Sequence, residues 1–317
     1  MANPSLFTRR RFLRHTLATG AAASLALSAP AEAAEPAAGA AYRVGIYTRP
    51  WDKHDYRVAL DAIAEAGFKH AGLMTTTMPW GRQVITAELS TEQAAEIGQQ
   101  VRQRGLQVPS VYGGGIPVNK SLNEGIAGMR RLIDNCVAAG ATSLLMGGTS
   151  NDKLYEPYYK AVAACCDYAA ERKLAITVKP HGGLNATGPQ CRKCIEFVGH
   201  ANFSLWYDPG NIFYYSNGEL DPVDDAATVD GLVTKGVCIK DFDLVERDGK
   251  PTREVALTPG TGRVDFLKVL QRLRQGGFTS GDLVIECLSP GDGEPRTLLA
   301  EAKRAREFVE RLIAKCV

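Results

Sequence analysis

The stretch LAITVKPHGGLNATGPQCRKCIEFVGHANFSLWYDPGN, residues 174–211, contains the structural unit that decides the fold. It begins with an apolar run at Leu174, which is typical of a buried strand, and continues into TGPQCRKCIEF, which has the character of a helix. A second apolar run starts at Phe203. A strand, a helix and another strand in this order predict two parallel strands joined by a helical crossover.

The same alternation extends over the whole of residues 42–317. Between the strands lie segments with helical periodicity, such as VDFLKVLQRLRQGG, and several of them end in glycine at Gly67, Gly105, Gly140 and Gly276. Eight strand and helix units predict a (β/α)8 TIM barrel, whose usual size is about 250 residues. The rival is a doubly wound open sheet, but no GxGxxG follows the first strand. The eight predicted strands begin at Arg43, His70, Gln107, Ser143, Leu174, Phe203, Gly236 and Asp282.

The N-terminus has the features of an export signal. TRRRFLR, residues 8–14, resembles the twin-arginine translocation motif, and a mildly apolar run and the small-residue sequence AEA at 31–33 follow it. The apolar run is too short for a membrane span. We therefore expect an export signal over residues 1–33, a linker over 34–41 and the barrel over 42–317. The mature protein would be periplasmic or secreted, with the twin-arginine translocase as its partner during export and no stable membrane insertion afterwards.

The charge of the chain argues against one class of partner. The formal net charge is +2, and the first 35 residues hold four arginines and two glutamates, which leaves 33 basic and 33 acidic residues in the rest. A nucleic-acid-binding protein needs a basic surface for the phosphates. We therefore expect no nucleic-acid partner. The eight cysteines are scattered, and the one tight pair, Cys191 and Cys194, lies in a predicted helix and is interpreted as structural.

Polar residues interrupt the last four apolar runs at their C-terminal ends. TIM-barrel chemistry takes place at that end of the strands. Ionisable groups in such surroundings cost several kcal/mol unless they are paired or bind a metal. The sequence therefore predicts that these side chains form one site. They are Lys179 and His181, Asp208, Cys238 and Lys240, and Glu286.

The segments KPHGGLNATG, WYDPGNI, CIKD, TPGTGRVDF and VIECL resemble, in this order, the conserved strand ends of the xylose isomerase-like barrels. That family includes sugar isomerases and epimerases. The resemblance implies a site in which Glu, Asp, His and a second Glu hold one divalent cation, such as Mn, Mg, Co or Zn. It also implies that the two glutamates flank the substrate as acid and base.

The resemblance is incomplete at the metal ligands. Asp208 and Glu286 match the metal carboxylates, but Lys179 stands in the place of the first glutamate and Cys238 in the place of the metal histidine. A charged ammonium cannot bind a metal. Two alternatives follow: a cation bound by Asp208, Glu286 and Cys238, or a metal-free site in which Lys179 supplies the positive charge. Carboxylates raise the pKa of such a lysine and burial lowers it, and Lys179 becomes a usable base if burial prevails.

Roles for the remaining residues follow from position. We predict Glu286, Lys179 and His181 as catalytic residues. His181 and Asn211 also match positions beside the family's ligands. Arg49 and Trp51, in YTRPWD just after the first strand, are candidates to line the pocket. The predicted substrate-binding residues are Lys240, Asn211, Arg49 and Trp51.

The leading hypothesis is an exported enzyme that moves a proton next to the carbonyl of a sugar or keto-sugar, by isomerisation, epimerisation or elimination. Its substrate would be a small carbohydrate. A second hypothesis is Schiff-base chemistry with Lys179 as the nucleophile. The third is a non-catalytic barrel that has lost its metal site and binds a saccharide or a protein partner.

Overall fold

The computed structural model describes residues 42–316. Eight parallel strands form one sheet, and each of them overlaps one of the eight predicted apolar runs, although β9 begins at Val233, three residues before its predicted start. Two short antiparallel hairpins, β3–β4 and β10–β11, were not predicted. The strands of the described part are β1 (Tyr42–Tyr47), β2 (His70–Gly72), β3 (Thr75–Met78), β4 (Gly81–Gln83), β5 (Val111–Tyr112), β6 (Ser143–Met146), β7 (Ala175–Val178), β8 (Phe203–Tyr207), β9 (Val233–Ile239), β10 (Asp243–Arg247), β11 (Lys250–Glu254) and β12 (Gly281–Ile285).

The main sheet closes on itself. Its strand order is β2-β1-β12-β9-β8-β7-β6-β5, and parallel bridges join His70 to Gln107 and Leu73 to Val111 across the two end strands. The prediction of a (β/α)8 barrel is confirmed, and the open doubly wound sheet is wrong. Because all eight strands are parallel, their C-terminal ends lie at one rim of the barrel.

Helices connect the strands and cover the barrel. Their starts are fixed by local capping: the Ser90 side chain accepts from the Gln93 amide, and Gln93 accepts from the Ser90 amide in return. The described helices are α1 (Tyr56–Glu65), α2 (Thr91–Gln103), α3 (Leu122–Ala138), α4 (Asp152–Ala163), α5 (Cys166–Glu171), α6 (Gly188–Val198), α7 (Pro209–Tyr215), α8 (Pro222–Ala226), α9 (Phe266–Gln275) and α10 (Pro295–Cys316).

Glycines end the helices largely as predicted. Gly67, Gly105 and Gly140 have positive φ, the left-handed conformation that stops a helix. Gly276 does not: its φ is −79°, and the following Gly277 takes the positive φ of 102° instead. The sequence GG therefore permits the stop at either residue, and the structure uses the second.

The core has two parts. The larger part lies between the strands and the helices, where α6 buries both Cys191 and Cys194 as free thiols. A smaller cluster fills the inside of the barrel beneath the C-terminal rim, so the barrel is packed and not a pore. Its buried members are Tyr47, Met74, Leu145, Trp206, Cys238 and Val284.

Residues 1–41, which hold the predicted export signal and linker, lie outside the described residues. Among the helices of residues 42–316, none is long and apolar enough to cross a membrane.

Candidate active site

Four strand ends bring charged side chains together inside the C-terminal rim. Lys179 follows β7, Asp208 follows β8, Lys240 follows β9 and Glu286 follows β12, and all four are buried. Lys179 Nζ donates to Asp208 Oδ2 at 3.2 Å and also contacts Glu286 Oε2. Two cations and two carboxylates thus share one buried site.

Glu286 lies at the centre of this cluster. Its Oε1 accepts from Lys240 Nζ at 3.0 Å and from Arg49 Nη1, and its Oε2 accepts from Lys179 Nζ and, at 3.3 Å, from Cys238 Sγ. A carboxylate has about four lone-pair sites. Three cations and one thiol therefore satisfy both oxygens of Glu286.

The loop after β7 holds Lys179 in place. The Lys179 amide donates to Met146 O at 3.2 Å, and Asn185 Nδ2 donates to Lys179 O at 2.8 Å. The turn then requires glycine, because Gly182 and Gly183 have φ of 79° and 56° and a Cβ on Gly182 would lie 2.5 Å from the Tyr215 ring. The glycines after the strand thus allow the chain to fold back over the site.

Asp208 and Asn211 connect the cluster to α7. Asp208 caps the helix by accepting the Asn211 amide on Oδ1 at 2.9 Å, which leaves Oδ2 for Lys179. The Asn211 side chain donates to Pro180 O at 2.6 Å and accepts from Lys240 Nζ at 2.8 Å. Asn211, predicted to bind substrate, therefore positions Lys240.

Lys240 does not pair with its neighbour in sequence, Asp241. Asp241 instead accepts the amides of Gly260 and Gly262, both at 2.9 Å, and so holds the loop TPGTGRV at the rim. The Lys240 ammonium therefore donates to Glu286 and Asn211 and not to Asp241.

A cavity of about 250 Å³ opens onto the cluster. Lys179, Glu286, Arg49 and His181, all predicted site residues, line it. Several lining residues were not predicted. Asp52 follows the turn after β1, Arg82 lies in the β3–β4 hairpin, and Tyr112 ends the barrel strand β5. The complete lining is Arg49, Asp52, Met74, Thr75, Arg82, Tyr112, Lys179, His181 and Glu286.

Trp51, predicted to bind substrate, lies elsewhere. Its side chain is buried in the main core and is not among the residues that line the cavity. The residue belongs to a single 3-10 turn, Arg49–Trp51, which points Arg49 toward the cavity and Trp51 away from it. The substrate-binding prediction for Trp51 is therefore corrected to a packing role.

His181 lies at the mouth of the cavity between two tyrosines. Its Nε2 is 3.4 Å from Tyr112 Oη, and its ring packs near Tyr215. One part of the ring is exposed to solvent. Burial of the other part, together with repulsion by Lys179, lowers the pKa of His181 to about 3, so the imidazole is neutral at physiological pH.

The pKa values of the central groups follow from the balance between burial and charge. Burial acts to lower the pKa of Lys179, but Glu286 and Asp208 outweigh it and hold this pKa well above 10.5. Burial acts to raise the pKa of Glu286, but Lys179, Lys240 and Arg49 hold it well below 4.5. Burial prevails at Asp208, whose pKa is raised. Lys179 is thus a permanent cation, and burial does not make it a base.

The comparisons with known proteins agree with this fold. The family described as xylose isomerase-like TIM barrel matches residues 60–312, most of the chain. The chain belongs to this family. A search of the curated proteins finds no match.

Several solved structures are similar in fold to this xylose isomerase-like barrel. A xylose isomerase domain protein from Planctomyces limnophilus is 19% identical with a TM-score of 0.64, over 86% of this chain and 97% of that one. D-psicose 3-epimerase from Clostridium cellulolyticum H10, solved with D-tagatose, is 14% identical with a TM-score of 0.65, over 86% and 99%. A xylose isomerase-like TIM barrel protein from Mycobacterium smegmatis, in complex with magnesium, is 16% identical with a TM-score of 0.64, over 84% and 99%.

That neighbour is in complex with magnesium. Whether a divalent cation could bind in this chain depends on the residues of the site. Ligand atoms of Asp208, Cys238 and Glu286 lie within 4.8 Å of one another. However, the Lys179 ammonium already contacts both carboxylates, and burial raises the pKa of Cys238, which keeps its thiol protonated. Metals bind thiolates and repel ammonium groups. The residues of this site do not fit a divalent cation.

Proposed function

We propose that this xylose isomerase-like barrel is an enzyme that isomerises or epimerises a sugar or keto-sugar, and that the Lys179 ammonium supplies the positive charge of its active site. The observation that carries the proposal is the buried contact of Lys179 with both Asp208 and Glu286 beneath an open cavity. Burial of so many charges has a large desolvation cost, which argues against a purely structural role.

The reaction requires a base for a C–H next to the carbonyl. Glu286 is ionised and borders the cavity. When it removes the proton, the electron pair moves onto the carbonyl oxygen and forms an enolate. A proton delivered to the opposite face by water in the cavity gives the epimer, and the proton on Glu286 is released to solvent. Return of the Glu286 proton to the former carbonyl carbon, with transfer of the neighbouring hydroxyl proton to the former carbonyl oxygen, gives the isomer. No net oxidation occurs.

Lys179 and His181 have different tasks in this scheme. The Lys179 ammonium, charged throughout, stabilises the oxygen on which negative charge develops. The neutral imidazole of His181 donates a hydrogen bond from the mouth of the cavity and, with its low pKa, is a poor base. Lys240 keeps Glu286 oriented. Schiff-base chemistry would need a neutral Lys179 amine, which its raised pKa opposes.

Sugar substrates are supported by the neighbours of similar fold, one of which is a D-psicose 3-epimerase solved with D-tagatose. A non-catalytic saccharide-binding barrel remains the second candidate. It is favoured by the saturation of Glu286, which has no free lone pair until a ligand displaces one of its partners.

Deuterium exchange tests the proposal. Ketohexoses and the matching keto-uronic acids are incubated with the enzyme in D2O, and hydrogen loss next to the carbonyl is followed by NMR. Wild type should catalyse exchange, and Glu286→Gln should reduce the rate by about 10²- to 10⁴-fold. Equal exchange by the two proteins removes the role of Glu286, and binding without any exchange favours the non-catalytic barrel.

We also propose that the enzyme is exported by the twin-arginine route and cleaved near Ala34. Support comes from TRRRFLR and AEA in the sequence. Mass spectrometry of periplasmic protein should find an N-terminus near residue 34. Replacement of both Arg9 and Arg10 by Lys should retain the uncleaved chain in the cytoplasm, and unchanged processing of that variant would contradict the route.

A further inference from the structure

Arg49 differs from the other cations of the site in having donors to spare. Only its Nη1 is bonded, to Glu286, and no other N–H of its guanidinium has a hydrogen-bond partner within residues 42–316. Its side chain is 37% exposed and lines the cavity, whereas Lys179 and Lys240 are buried. Arg49 therefore presents unused donors to any ligand in the cavity.

The charges that line the cavity do not cancel. Arg49, Arg82 and Lys179 are positive, and Asp52 and Glu286 are negative. His181 is neutral. The wall of the cavity thus has one positive charge in excess, and a ligand with a single negative charge would balance it.

The backbone holds Arg49 in a fixed position for such a contact. The amide of Thr48 donates to Gly72 O at 2.9 Å, and Pro50 restricts the next turn. Buried Trp51 then anchors the end of that turn in the core. The backbone that carries the Arg49 side chain is therefore held in place, which reduces the entropy lost on binding.

We propose that the substrate is an acidic sugar and that Arg49 binds its carboxylate. This inference rests on the proposed function and specifies its substrate class. Guanidinium groups bind carboxylates through two parallel hydrogen bonds. A phosphate is a poorer match, because phosphate sites commonly use backbone N–H groups at a helix start, and this cavity, at about 250 Å³, is small.

The contact has a consequence for Glu286. A carboxylate bound by the unused donors of Arg49 draws the guanidinium into the cavity and weakens its contact with Glu286 Oε1. As the guanidinium turns toward the substrate, Oε1 regains a lone pair that faces the cavity, and the carboxylate becomes a stronger base. An acidic sugar thereby activates the group that removes its own proton, and a neutral sugar does not.

Calorimetric titration of the purified protein tests the assignment. Matched pairs are compared at low salt: D-galacturonate with D-galactose, and D-tagaturonate with D-tagatose. Wild type should bind at least one acid about tenfold or more tightly than its neutral partner. Arg49→Gln should abolish that preference and Arg49→Lys should keep part of it. Arg57→Gln, which removes an exposed arginine paired with Asp55 outside the cavity lining, should leave the preference unchanged.

Equal affinity for acid and neutral sugar in every pair overturns the inference, as does a preference that survives in Arg49→Gln. Tighter binding of galactose 6-phosphate or inorganic phosphate than of the uronates would replace the carboxylate by a phosphate and also overturns it. The exchange experiment separates the two proposals. Exchange without a preference for acids supports the proposed function and contradicts the acidic substrate class. A preference for acids without exchange supports the acidic ligand class and contradicts the proposed function.

Discussion

Two acidic residues at opposite ends of β12, four positions apart, show how the two rims of the barrel differ. Asp282 lies near the start of β12 and pairs with one cation, the half-exposed Arg43, at 2.8 Å. Glu286 lies just beyond the end of β12 and contacts three cations, two of them buried. Burial raises the pKa of Asp282, whereas the surrounding cations lower that of Glu286.

The cavity volumes at the two rims do not follow this difference in charge. The N-terminal rim has the larger cavity, about 590 Å³ against about 250 Å³ at the C-terminal rim. Its cations, Arg43, Lys173 and Lys235, are exposed. We therefore base the proposed active site on the convergence of buried charge at the C-terminal rim and not on cavity volume, because burial of several charges has a large desolvation cost.

The largest expected effect is the loss of the central cation. Lys179→Met leaves Asp208 and Glu286 buried without their shared partner, and the free energy of unfolding should fall by about 3–5 kcal/mol. Arg43→Met at the other rim should cost less, about 1 kcal/mol, because the Arg43 side chain is half exposed to solvent. Urea unfolding of the two variants measures both values.

A double variant tests whether the stability lost in Lys179→Met comes from the buried charge that is left unpaired. Lys179→Met with Glu286→Gln removes one charge of each sign, and it should recover part of the stability lost in Lys179→Met alone. If Arg43→Met and Lys179→Met destabilise equally, or if the double variant is no better than the single one, the rims do not differ in the way described.

The next effect is a gain of metal binding. Lys179→Glu with Cys238→His restores the ligand types that the family resemblance implies at these positions. Without the ammonium, the site should bind one divalent cation per chain, seen as an increase in melting temperature with Mn²⁺. Wild type is the matched control and should not respond. A double variant that gains no response to Mn²⁺ would show that something other than Lys179 and Cys238 prevents binding.

A smaller effect concerns His181. In wild type its pKa is about 3, so NMR titration should show a neutral ring throughout the range from pH 7 to pH 5. The folded pKa lies below the ordinary 6.5, so this residue costs stability as the pH falls below 6.5. Lys179→Gln should raise the pKa of His181 by about one unit or more, because one nearby positive charge is gone. An unchanged pKa would mean that burial alone sets it.

The smallest effect is expected at the N-terminal rim. Lys173→Gln and Lys235→Gln remove exposed charges that have no ion-pair partner among the described residues. Each should change the free energy of unfolding by less than about 0.5 kcal/mol and leave sugar exchange unaltered. A large loss of exchange in either variant would place function at the rim where we find none.

Much of this arrangement was predictable from the sequence. The eight strands were visible because each is a short apolar run, and Lys179, Asp208, Lys240 and Glu286 were visible because they are polar residues at the ends of such runs. Parallel strands then bring their ends to one rim by geometry alone. The strand pattern thus predicts which side chains meet.

Other features depend on distances that a sequence does not contain. Arg49 and Trp51 lie two positions apart in one turn, yet one lines the cavity and the other packs in the core. The pKa of Lys179 was open because burial and carboxylates oppose each other, and only the contacts to Asp208 and Glu286 decide it. The β3–β4 hairpin that brings Arg82 to the cavity has no strong apolar pattern.

The most direct test of the central claim is the metal content of the wild-type protein. The folded chain is purified without chelator, equilibrated with Mn²⁺, Mg²⁺, Co²⁺ or Zn²⁺, desalted and measured by elemental analysis, with sugar exchange assayed before and after chelation. Because the Lys179 ammonium contacts both Asp208 and Glu286, we predict far less than one ion per chain and exchange that survives the chelator. One tightly bound ion per chain, with exchange that is lost on its removal and restored on its return, would contradict the claim.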